Sequence, residues 1–134
     1  RVLFRSIEVI NSLENLLVLN PASEEDVENI EIELALPLAE EYKEYVLKFG
    51  AIMADDIELT GFAKSKNRDV VQVTKREWAA NNKIKRNLYV VESLGIEGII
   101  IWQDGSGKMY ESRPNHGATK IADSLAEYLE SKKS

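Results

Sequence analysis

Apolar side chains recur every three or four residues near the start of the chain, at Leu3, Ile7, Ile10, Leu13 and Leu17, with Glu8, Asn11, Ser12 and Glu14 between them. That spacing predicts an amphipathic helix over 2–19, stopped by Asn20-Pro21. Ser23 followed by Glu24-Glu25-Asp26 reads as an N-cap with acids in the first turn; Val27, Ile30 and Leu34 then share a face. Leu36-Pro37 ends this helix and opens the next, because proline suits the first helical position. Leu38, Tyr42, Tyr45, Val46 and Phe49 give the third helix its inward face, and Gly50 its left-handed stop.

The period then changes. Ile57, Leu59 and Gly61-Phe62 read as a strand after a turn at Asp55-Asp56. Residues 69–81 read as a helix with Val70, Val73, Thr74 and Trp78 on one face, although Val and Thr also suit strands. Strands are predicted over 88–92, 98–103 and 108–113, with turns at Leu94-Gly95 and Asp104-Gly105-Ser106-Gly107 and a loop over 114–117. A last helix over 121–131 turns Ile121, Leu125, Tyr128 and Leu129 inward. Helices, a meander of strands, then a helix imply an α+β fold: an antiparallel sheet of about four or more strands flanked by helices. No repeat, linker or low-complexity tract interrupts it, so residues 1–134 form a single domain.

Composition narrows the chemistry. The 134 residues suit one domain, and 44% hydrophobic with 30% charged residues excludes a disordered or fibrous chain. There is no cysteine and one histidine, His116. A disulfide framework, a Cys-ligated zinc, a thiol nucleophile and a multi-histidine metal site within the chain are therefore excluded. The net charge of -6 has the wrong sign for a nucleic-acid binder and suits a basic partner. No apolar run approaches the roughly 20 residues of a membrane span. Without a signal-peptide pattern or an Asn-x-Ser/Thr acceptor, a cytoplasmic protein is expected. The chain opens at Arg1 rather than Met, so a natural start upstream is expected.

Charge is uneven. Residues 24–58 hold twelve acids and two bases, and residues 64–86 hold eight bases and two acids. The basic stretch contains a single aromatic residue, Trp78, so a solvated loop and helix face fits it better than a stacking surface for RNA. Gly105-Ser106-Gly107-Lys108 lacks phosphate-loop spacing and lies between strands; a hairpin turn explains it. His116 reads as a surface loop residue, because no nucleophile can be placed beside it. Asp55, Asp56 and Glu58, with the strand acids Glu92, Glu97, Asp104 and Glu111, could include an acid/base pair, but a solvated or charged binding face is the better reading. Trp102 follows Ile99-Ile100-Ile101, which makes both faces of that strand apolar. One face meets the helices. The other either completes a second small core or presents an apolar patch, with Trp102 and Tyr110 as aromatic anchors.

Taken in order, these features resemble the SUKH superfamily of Smi/Knr-like proteins. The resemblance spans 23–129, with 1–22 as a variable N-terminal helix. It rests on Leu36-Pro37 with Tyr42, Phe49-Gly50, Ile57-Glu58-Leu59 with Gly61, and the helix carrying Thr74. It continues through Leu88-Tyr89-Val90-Val91, Gly98, Asp104-Gly105-Ser106-Gly107 with Tyr110, and Ile121-Ala122-Asp123-Ser124-Leu125 with Tyr128-Leu129. Leu125 stands where the family often has an aromatic residue, which implies altered core packing. The resemblance implies an α+β fold with no activity and no cofactor. It further implies a cytoplasmic immunity protein that binds and neutralises a cognate polymorphic or contact-dependent toxin, often a nuclease. The alternative it implies is an intracellular scaffold or regulatory adaptor of cell-wall signalling. An enzyme is the third hypothesis and would require a deep pocket holding polar groups with perturbed pKa values. The expected binding set is Trp102 and Tyr110 with Asp55, Asp56, Glu58, Glu92, Glu97 and Asp104, facing a basic toxin domain rather than nucleic acid or membrane, with no metal.

Overall fold

The computed structural model describes residues 4–133, so Leu3 of the predicted first helix lies outside the described residues. The chain order is α1 (Arg5–Asn11), β1 (Leu17–Val18), α2 (Glu24–Leu34), α3 (Glu40–Phe49), β2 (Ile52–Ala54), β3 (Ile57–Glu58), α4 (Val70–Ala80), β4 (Tyr89–Ser93), β5 (Ile100–Gln103), β6 (Met109–Ser112), β7 (Thr119–Ala122) and α5 (Leu125–Lys133). Strands β1-β2-β3 and β4-β5-β6-β7 form two antiparallel sheets. A bridge between Leu59 and Glu92, and the Thr60 N–H donating to the Val91 carbonyl at 2.9 Å, tie β3 to β4. This is the expected α+β architecture.

Local chemistry sets the element boundaries. Ser23 caps α2: its hydroxyl accepts from the Asp26 N–H at 3.0 Å, and the Asp26 carboxylate accepts from the Ser23 N–H at 2.9 Å. Asp69 caps α4 by accepting from the Gln72 N–H. Gly50 ends α3 at φ +73°; a Cβ there would stand 2.1 Å from the Asn20 carbonyl oxygen, and one on Gly61 would stand 1.9 Å from the Gly50 carbonyl oxygen. Three chain segments thus cross where only hydrogen fits.

Four boundaries depart from the sequence reading. The first helix stops at Asn11, because Asn15 takes a left-handed φ of 56° and reverses the chain; Leu17 is then in β1 and exposed. Pro37 lies in the α2–α3 link, since α3 begins at Glu40. The predicted strand at 57–62 is regular only at Ile57–Glu58, and it pairs with β2, which was not predicted. Ile121 is an exposed residue of β7 rather than part of the last helix. The Ser124 hydroxyl accepts from the Glu127 N–H at 3.0 Å, which caps α5 from Leu125 onward.

Strands β4 and β5 are buried on both faces, while β7 is mostly exposed. Tyr89, Ile101 and Gln103 share the face toward α3: the Tyr89 hydroxyl donates to Gln103 Oε1 at 2.7 Å and accepts from the Ala39 N–H at 3.0 Å. Val90, Trp102 and Tyr110 are cross-strand neighbours on the other face. Trp78 of α4 donates its indole N–H to the Leu88 carbonyl at 3.0 Å, while Arg86 stacks 5.0 Å over its ring. One continuous core results.

Candidate partner-binding cleft

The β2–β3 hairpin places Asp55 and Asp56 in its two-residue turn, between the paired Ala54 and Ile57. Both are exposed. The Asn15 side-chain amide donates to Asp55 Oδ1 at 2.7 Å and ties the turn to the α1–β1 connection. Glu58 follows on β3, with its side chain 56% exposed and its carboxylate 3.6 Å from Arg68 Nε. These acids rim an open cleft of about 330 Å³, lined also by Met53, Ala54, Ser93, Leu94 and Glu92. Glu58 and Ser93 form the ridge to a second cleft of about 340 Å³ that carries Asn67 and Arg76 beside α4. One hairpin therefore divides an acidic cleft from a partly basic one.

Glu92 reaches this cleft through a β-bulge. The ladder runs Val90↔Trp102, then Glu92↔Ile101, so the extra residue Val91 turns Glu92 onto the Ile101 face. There it is only 3% exposed. Its Oε1 accepts from Tyr128 at 2.6 Å and from Lys132 Nζ at 2.7 Å, and its Oε2 accepts from the Glu58 N–H at 2.9 Å. Burial, together with the neighbouring Glu92 carboxylate, pushes the Tyr128 phenol far above its usual range. Lys132 also lies 5.2 Å over the Tyr128 ring. Glu92 is thus a neutralised floor and a clamp for α5, not a solvent-facing acid, which corrects the expectation that it would meet a partner.

Trp102 is corrected as well. It is fully buried, and its indole N–H donates to Ser112 Oγ at 2.8 Å. Strand β5 is buried on both faces and α4 packs on its neighbour β4, so the strand's double apolar character marks a core with two faces. Asp104 sits at the opposite end of β5 and holds its own hairpin. Its Oδ1 accepts from the Ser106 N–H, the Ser106 hydroxyl and the Lys108 N–H, and its Oδ2 accepts from Tyr110 at 2.8 Å. Partial burial opposes the Asp104 charge, but these donors from Ser106, Tyr110 and Lys108 outweigh it and hold the carboxyl below its usual range. The hydrogen bond to Asp104 raises the Tyr110 phenol in turn. Glu97, at φ 51° in the β4–β5 turn, pairs with Arg113 at 3.0 Å. The cleft therefore gathers Asp55, Asp56, Glu58 and Glu92, and leaves Asp104, Tyr110, Glu97 and Trp102 elsewhere.

A second buried carboxylate had no place in the expected set. Glu41 of α3 is 8% exposed, and its Oε1 accepts from the Leu125 N–H at 2.6 Å and Gln103 Nε2 at 2.8 Å. Burial raises its pKa against those hydrogen bonds. It joins α3, β5 and the start of α5. Among the described residues, no group of three His, Asp or Glu side chains is arranged to hold a metal ion, and no helix is long and apolar enough to cross a membrane.

A family model described as SMI1-KNR4 cell-wall, of the SUKH set, matches residues 5–133. The chain belongs to the SUKH family. Comparison with curated proteins returns no match. Several residues that carried the SUKH resemblance have structural duties here. Phe49-Gly50 and Gly61 make the close crossing, Tyr42 and Thr60 hydrogen-bond at 2.8 Å in the core, and the Thr74 hydroxyl accepts from the Val90 N–H at 2.9 Å.

Proposed function

We propose that this SUKH chain is a non-catalytic binding module of the cytoplasm that holds and neutralises a cognate toxin domain of basic charge, a nuclease being the fitting class. Its docking surface is the Asp55-Asp56 hairpin with Glu58. The observation that carries this reading is the contrast within the cleft: three exposed carboxylates stand on its rim, while the acid on its floor, Glu92, is already paired with Lys132. Rim charges of one sign steer a partner of the other sign and raise its association rate. The net charge of -6 adds to the same field.

The test has two stages. The chain is first used to capture partners from its source cell at low and high salt, with mass spectrometry of what is retained. The recovered protein is then expressed in a test host with wild type or with Asp55→Lys/Asp56→Lys. A basic, growth-arresting protein that is lost at high salt and neutralised by wild type alone supports the reading. Recovery of a non-toxic signalling protein, or equal protection by the charge-reversed variant, contradicts it; the former result would favour a scaffold of the kind the cell-wall family description suggests.

A further inference from the structure

We propose that β1 is a self-association edge, through which two copies of this chain pair antiparallel about a two-fold axis centred on Val18. The proposal goes beyond the toxin-binding reading and stands without it, but both use the Asp55-Asp56 turn, so a dimer joined in this way and a toxin on the hairpin exclude each other. Strand β1 ends the three-stranded sheet, and no strand among the described residues covers its outer side. The Leu19 N–H donates to the Ala51 carbonyl at 2.9 Å, so alternation along the strand turns the Val18 N–H and C=O outward. Leu17, Val18 and Leu19 are 65%, 50% and 40% exposed, and Phe62 beside them is 41% exposed. Leu19, Pro21 and Phe62 line an apolar groove of about 530 Å³ with Lys64 and Arg68 at its side. This edge is short but apolar, carries no inward charge, and offers another strand one outward N–H and C=O pair at Val18.

Charge selects a second copy as the occupant. The two ends of β1 differ in sign. At its start, Asn15 holds Asp55 of the acidic turn at 2.7 Å. At its end, Leu19, Asn20 and Pro21 share the groove with Lys64, while Arg68 in the same lining is held inside by the Ile52 carbonyl at 2.8 Å and by Glu58. Antiparallel pairing centred on Val18 sets Leu19 against the partner's Leu17 and lays the end of each β1 beside the start of the partner's. The basic groove of each copy then meets the partner's Asp55-Asp56 turn, twice by symmetry. A two-fold contact requires such a self-complementary surface.

The test is sedimentation velocity on the purified chain across micromolar to millimolar concentration, with no toxin present. Wild type is expected to show a reversible monomer–dimer equilibrium that weakens with salt. Val18→Pro removes an outward N–H, which β1–β2 pairing does not use. It is expected to raise the dimer dissociation constant about tenfold or more, the loss of two symmetric backbone hydrogen bonds. Lys64→Glu is expected to weaken the dimer likewise, and adding Asp55→Lys/Asp56→Lys to restore it; this charge swap decides the matter if Val18→Pro fails to fold by circular dichroism. A wild type that stays monomeric throughout overturns the proposal and leaves the edge to a foreign strand. A dimer indifferent to both the folded Val18→Pro variant and the charge swap also overturns it.

Discussion

The floor and the rim of the β2–β3 cleft use the same carboxylate chemistry to opposite ends. On the floor, Glu92 has lost its water and gained Tyr128, Lys132 and the Glu58 N–H in exchange. On the rim, Asp55 keeps one local bond to Asn15, and Asp56 and Glu58 remain largely in solvent. A buried charge whose partners are all internal contributes to the fold and has nothing left to offer a ligand. An exposed one contributes little to stability, but its field reaches outward. The comparison teaches that acidic side chains divide by what already binds them, and that net charge alone does not locate a binding face.

Four substitutions sharpen this division, in descending order of effect on stability. Trp102→Ala empties a fully enclosed site and orphans Ser112; a loss of about 4 kcal/mol in urea unfolding is expected. Glu92→Leu leaves Lys132 and the Glu58 N–H facing an apolar group at a buried position. We expect a cost of about 3 kcal/mol, with increased amide exchange concentrated in α5. Asp104→Ala removes the acceptor that organises the β5–β6 turn, and about 1–2 kcal/mol should be lost. Asp55→Lys/Asp56→Lys should move unfolding by less than about 0.5 kcal/mol, as surface changes do, while abolishing salt-sensitive partner binding.

Glu41 and Asp104 also predict a pH signature. Burial raises the Glu41 pKa, so within the window above its unfolded value near 4.5 the folded state binds more protons than the unfolded state. Stability from this site therefore falls as pH rises through that window. Glu41→Gln keeps an oxygen for Leu125 and Gln103 and should remove this part of the pH dependence. Asp104 behaves oppositely. Its folded pKa lies below the usual 3.8, so its contribution is present above that value and is lost as pH falls through the folded pKa. Chemical unfolding at a series of pH values, with Glu41→Gln and Asp104→Asn beside wild type, separates the two slopes.

Much of the fold was legible because its signals are local. Ser23 with Asp26, the Leu38–Phe49 periodicity and the Asp104–Gly107 turn each specify an element within a few residues. The missed features depend on contacts distant in sequence. Asn15 at positive φ breaks an otherwise helical spacing so that Leu17 can join β2, and the Val91 bulge reverses the face of Glu92 against the alternation rule. The Ser124-x-x-Glu127 cap was present in the sequence and would have moved the start of the last helix past Ile121. For the candidate site, the acidic hairpin turn was readable from Asp55-Asp56 and Glu58. Trp102 was not assignable, because a strand apolar on both faces looks the same whether its second face meets another layer or a partner.

The most direct measurement is the association rate of the captured basic partner with three proteins, by stopped flow over a range of salt: wild type, Asp55→Lys/Asp56→Lys and Asp104→Ala. The account predicts that the hairpin reversal slows association by about tenfold or more at low salt, while Asp104→Ala, though less stable, associates at the wild-type rate. Equal rates for wild type and the hairpin variant, or slowing by Asp104→Ala alone, would contradict the assignment of docking to the cleft rim.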